Sequence, residues 1–170
     1  MDSVRKLESK VASWYKDVPH LPENAAKWIA QNIWWMALIG VVLGAMTIFS
    51  IISVTFFAGA VFIGYGGAIG AAVAGVALVA VIFSLAFWAL ELVLMGLAIT
   101  PLRTLQKKGW TLLFMVALLQ VVAHGVSFLF NLNLFSLIWS LLYVAVGVYF
   151  LFEIRGQFGA HNAKTVKAKK

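Results

Sequence analysis

The sequence predicts an all-α polytopic membrane protein, with four transmembrane helices behind an N-terminal amphipathic helix. Three observations predict it. Hydrophobic types make up 63% of the 170 residues and charged types 11%, whereas a soluble domain is about half apolar and about a quarter charged. Four apolar segments are each long enough to cross a hydrocarbon core of about 30 Å at about 1.5 Å per residue, the last only just. All 13 Lys and Arg lie outside those segments. The chain divides into a leader over 1–32, a four-span helical bundle over 33–154 and a basic tail over 155–170.

In the leader, Val4, Leu7, Val11, Trp14 and Val18 recur at spacings of three and four, which places them on one helical face. Ser3 is the expected N-cap. Such a helix can lie on a membrane surface or fold onto the protein's own loops, and the sequence leaves both open. Pro19 and Pro22 interrupt it, and a second short helix is expected from Glu23, carrying Trp28 and Ile29 toward the membrane. The first apolar run starts near residue 33 and is too long for a signal peptide's apolar region, so no cleavable signal is expected.

The expected spans are about 33–57, 70–99, 110–130 and 134–152. Trp28, Trp34, Trp35 and Trp110 fit an interfacial aromatic belt, while Trp88 and Trp139 are read as packing residues. Thr100-Pro101 is expected to stop the second span, because a residue before proline disfavours the helical region. The links differ in character. Residues 58–69 carry no charge and are glycine-rich, so a flexible turn is expected there. Residues 100–109 carry Arg103, Lys107 and Lys108 and no acid, and 131–133 form a tight polar turn.

Four spans put every basic residue on one side. The positive-inside rule then places both termini in the cytoplasm, with the cell's inner (plasma) membrane as the location. A five-span count would separate the Arg103–Lys108 loop from the leader, against that rule. The net charge of +7 therefore suggests anionic lipid headgroups as partner, met by Arg5, Lys6, Lys10, Lys107 and Lys108, and not nucleic acid.

Glu91 is the one acid deep in a span, roughly 12 Å from its cytoplasmic end. Charged groups at such depth are costly and default to a functional reading with a named partner. Gln120 and His124, roughly 15 Å and 21 Å into the third span, share a helical face and complete a candidate intramembrane polar site. This site can couple to a proton or cation, or it can be a hydrogen-bonded clasp between helices. Gly40 with Gly44, and Gly66 with Gly70, form small-residue pairs expected to pack helices closely, within the chain more than between chains. Gly64-Tyr65-Gly66 matches part of a potassium-channel filter, but too few residues precede it to build a pore helix.

No catalytic constellation, metal-ligand cluster or cofactor motif is present, and with no cysteines there is no thiolate chemistry. The stretches Lys107-Lys108-Gly109-Trp110-Thr111-Leu112-Leu113-Phe114 and Tyr149-Phe150-Leu151-Phe152-Glu153-Ile154-Arg155 resemble small uncharacterised four-span bacterial membrane proteins. That resemblance covers mainly the second half and implies no activity and no site residue. The expected function is that of a non-enzymatic scaffold or accessory subunit, with a homo-oligomer or a membrane complex as its protein partner. The alternatives are a small oligomeric transporter or channel coupled through Glu91, and a lipid-binding or membrane-remodelling protein.

Overall fold

A computed structural model describes residues 2–15 and 18–159, except the side chains of 2–5, 130 and 131. The expected Ser3 cap and the side chains of Val4, Arg5 and Lys16 lie outside the described residues, as do the tail lysines. The described residues are helical, without a strand: α1 (Asp2–Trp14), α2 (Glu23–Arg103), α3 (Lys107–Asn131), α4 (Leu134–Glu153) and a short 3₁₀ turn (Arg155–Gln157). Three of these helices, α2, α3 and α4, are long and apolar enough to cross a membrane.

The 81-residue α2 is not one rod. Gly67 has φ 54° and ψ −137°, a conformation outside the helical region that glycine reaches without a Cβ penalty. A Cβ on Gly40 would lie 2.9 Å from Met95 Sδ, one on Gly44 2.5 Å from Leu92 Cδ2, and one on Gly70 would overlap the Phe62 carbonyl oxygen. These facing pairs step in opposite directions along the chain. The stretch is therefore an antiparallel helical hairpin, with arms 23–66 and 68–103.

Two expectations change here. The flexible turn expected over 58–69 contracts to Gly67. The flanking Ala, Val, Phe and Ile residues offer the backbone no competing polar partner, so both arms stay helical up to the reversal. The helix also runs through Pro101 to Arg103 instead of stopping at Thr100. Proline in the last turn removes only one late N–H, and Gln106 N–H donates to Pro101 O at 2.8 Å to close the end. The chain then turns at Leu105, φ 51°. At the other end, the leader's second helix is continuous with the first arm of the hairpin. Its start at Glu23 is fixed by Pro22, whose carbonyl accepts from Ala25 and Ala26 N–H at 2.9 and 3.0 Å.

The core gathers where α1, the foot of the α2 hairpin, the start of α3 and the end of α4 meet. It comprises Ala30, Ala37, Ala98, Leu102, Trp110, Phe114, Leu151, Ile154 and Phe158. Alanine on both arms of α2 lets the heavier residues of α3 and α4 approach. Trp110 is fully buried, at the belt's level but inside the bundle. Its ring stacks on Phe114 at 5.4 Å and meets Phe152 edge-on at 5.4 Å. Its Nε1–H donates to Leu151 O at 2.6 Å, so the indole's polar edge is satisfied without water. Trp139, by contrast, is 69% exposed and packs nothing into the core.

Candidate functional site

Depth counting along the second and third spans pairs Glu91 with Gln120, and the structure brings them together. The Gln120 Nε2–H donates to Glu91 Oε1 across the interface of the second α2 arm and α3. His124 lies one further turn along α3, half-buried, and makes no hydrogen bond to Glu91 or Gln120 among the described residues. The three-residue site is thus a two-residue contact. Its geometry is that of a side-chain clasp between neighbouring helices. Gly40 and Gly44 lie on the first arm, where they give Met95 and Leu92 of the second arm room to approach. Gly70 fits against Phe62, whereas Gly66 meets nothing within 4 Å.

A second constellation, at the foot of the bundle, has no counterpart in the sequence reading. Glu8 of α1 is nearly buried, and its Oε1 accepts from Lys107 Nζ and from Arg155 Nε, each at 2.8 Å. Lys107 Nζ also sits 3.8 Å over the Trp110 ring. One carboxylate thus ties the leader to the start of α3 and to the 3₁₀ turn that follows α4. Alongside it, the Glu153 carboxylate, also nearly buried, takes Leu21 N–H at 2.7 Å on Oε2 and lies 2.8 Å from His20 Nδ1 on Oε1. The Tyr149 hydroxyl donates to Pro19 O at 2.7 Å. Tyr15 stacks on Phe152 at 5.5 Å, and its hydroxyl donates to Ala145 O at 3.3 Å. Burial pushes the Tyr15 phenol above its usual range. Glu153 and Arg155 both hold the leader.

The lysines expected to meet headgroups separate into two groups. Lys107 turns inward onto Glu8 and Trp110, while Lys6, Lys10 and Lys108 are exposed. Arg103 is also exposed and caps the Trp34 ring at 5.3 Å.

Two recesses lie near these residues and the hairpin. One, about 580 Å³, lies between the hairpin arms and is lined by apolar residues such as Phe56, Gly59, Ala71 and Leu78, with Thr55 alone polar. The other, about 460 Å³, opens at the foot beside Tyr15, His20, Glu23, Glu153 and Arg155. No group of three or more His, Cys, Asp or Glu that could hold a metal occurs among the described residues. No protein-family model matches the chain, and neither a curated protein nor a solved structure matches it.

Proposed function

We propose that the chain is a four-span integral membrane protein of the inner (plasma) membrane. On this reading the α2 arms, α3 and α4 are the spans, and the foot of the bundle faces the cytoplasm. It acts without chemistry of its own, as a scaffold or accessory subunit that presents a rigid basic cytoplasmic face. The observation that carries this is the foot itself. Two buried carboxylates, Glu8 and Glu153, are both committed to holding the leader, and exposed Lys6, Lys10, Lys27, Arg103 and Lys108 are displayed around them. Basic residues gathered on one side of apolar helices support the cytoplasmic orientation.

The intramembrane acid supports the same reading. Glu91 accepts a hydrogen bond from Gln120 across the helix interface, and such clasps contribute about 0.6–2 kcal/mol to helix association. The test is ion and proton flux in proteoliposomes, wild type against Glu91→Gln. A scaffold gives no protein-dependent flux with either. Flux in the wild type that disappears in Glu91→Gln establishes the rival reading, a transporter or channel coupled through this acid.

A further inference from the structure

We infer that α1 is a three-sided interfacial helix whose third partner is the anionic headgroup layer of the membrane that the bundle spans. The inference rests on the spanning reading above and deepens it by naming what the leader touches.

The sides follow from helix geometry at about 100° per residue. Glu8 and Val11, with Tyr15 just past the helix end, fall within an arc of about 60°. These are the residues that hold the bundle: Glu8 through Lys107 and Arg155, Val11 against the core, Tyr15 against α4. Leu7 and Trp14 fall within about 20° of each other, and their common direction is about 80° from the docked side. They are 45% and 65% exposed, the large apolar side chains that α1 leaves exposed among the described residues. Ser9 and Ser13 lie on the remaining side, exposed, with their hydroxyls turned back to Lys6 O and Lys10 O at 2.8 and 2.7 Å. Lys10 and Lys6 occupy the arc between the Leu7–Trp14 direction and the serines.

Depth fixes which of these sides meets lipid. Tyr15 touches Ala145, Tyr149 and Phe152, one stripe along the outer face of the last turns of α4. Ala145 lies about 12 Å along α4 from Glu153. The C-terminal end of α1 therefore lies beside the end of a span, not across its tip. An interfacial helix buries its apolar face about 5–10 Å into the boundary between headgroups and acyl chains, and Trp14 directly precedes the Tyr15 that makes these contacts.

Charge complementarity names the lipid. Lys6 and Lys10 flank the apolar side, where long stems snorkel their ammonium groups to headgroup phosphates. The acid between them, Glu8, is already neutralised inside the protein. Near a cytoplasmic leaflet such cations are drawn to anionic lipid.

The cysteine-free chain permits a direct test on the full protein in nanodiscs. Single nitroxide labels are placed by Leu7→Cys, Trp14→Cys, Ser9→Cys, Ser13→Cys and, as a depth reference in the hairpin, Val54→Cys. Collisions with oxygen, which enters lipid, are compared with those of an aqueous nickel chelate. Positions 7, 14 and 54 are expected to favour oxygen several-fold, and positions 9 and 13 the chelate. The preference at 14 should weaken in purely zwitterionic discs and in Lys6→Gln/Lys10→Gln. Chelate access at 7 and 14 equal to that at 9 and 13 overturns the proposal while leaving the spans intact if position 54 stays shielded. Exclusion of both probes at 7 and 14 also overturns it, because a protein surface then covers that side. Equal behaviour in anionic and zwitterionic discs overturns the headgroup assignment. Chelate access at 54 removes the spanning reading and this one with it.

Discussion

The foot of the bundle and the far half of the α2 hairpin are built from the same apolar alphabet and held by different physics. At the foot, the largest buried side chains gather, and several polar groups take partners from distant parts of the chain. Trp110 bonds a carbonyl 41 residues away, and Glu8 bonds a lysine 99 residues away. In the far half, Phe56, Ile69 and Val76 are 74–80% exposed. The hydroxyls of Thr47, Ser50 and Ser53 donate to carbonyls four residues back in their own helix. An arm whose polar groups are all satisfied internally needs no protein neighbour in lipid, because the bilayer covers what the protein does not. The foot must fold by specific contacts, whereas the far hairpin needs only helicity and a membrane.

The sharpest way to break this contrast is to truncate one tryptophan from each region. Trp110→Ala should destabilise the protein by about 3–5 kcal/mol through the cavity it leaves. Trp139→Ala should fall within about 0.5 kcal/mol of the parent, as exposed substitutions do. Thermal unfolding in one mild detergent measures both, and equal losses would erase the distinction between the regions.

Next comes the leader. Glu8→Ala removes a carboxylate bonded to two cations and should cost about 1–3 kcal/mol. The lower half of that range is expected, since Lys107 and Arg155 keep about 40% of their side-chain surface in solvent. Limited proteolysis between α1 and α2 should accelerate before global melting shifts by a comparable amount.

Glycine gives a smaller comparison with opposite signs. A Cβ on Gly109 would meet Leu102 N at 2.6 Å and Pro101 C at 2.9 Å, both backbone atoms that cannot swing aside. Gly109→Ala should cost about 1–3 kcal/mol by overpacking. Gly75 has nothing within 4 Å of its Cβ position, so Gly75→Ala should be neutral or gain up to about 1 kcal/mol from helix propensity. Melting temperatures that move the same way for both would mean that the hairpin arms are packed more tightly than their open slot suggests.

The smallest effect is expected from pH. Because the docked Tyr15 phenol titrates above its free value, its contribution to holding the leader is intact below about pH 10. It is lost as pH rises through the higher value of the docked state. A label on the leader should report undocking on the alkaline side, and Tyr15→Phe should remove that step.

What could be read from the residue order was whatever has a local or one-dimensional signature. Uncharged runs located the long apolar helices, and counting about 1.5 Å per residue from the Arg103–Lys108 loop matched Glu91 to Gln120. The same count set His124 a turn deeper, and it is not in the contact. The foot was not readable, because nothing near Glu8 in sequence announces Lys107 or Arg155. Amphipathic spacing in α1 was visible, yet it joined Leu7, Val11 and Trp14 in one face that the fold divides between protein and exterior. Trp110 looked interfacial because a belt tryptophan and a buried tryptophan at the same height are identical in one dimension. Gly67 was one of four glycines in its stretch, and composition does not say which one bends.

That single bent residue bears on how the protein enters a membrane. A reversal made by Gly67 alone leaves no polar loop to be carried across the bilayer, and both arms are uncharged for many turns on either side of it. With both arms spanning the bilayer as proposed, the pair is expected to partition from the insertion machinery as one unit. The passage carries only the few carbonyl and N–H groups at the bend that have no helical partner. Placing an arginine at the bend should therefore impair biogenesis more than the stability of protein already inserted.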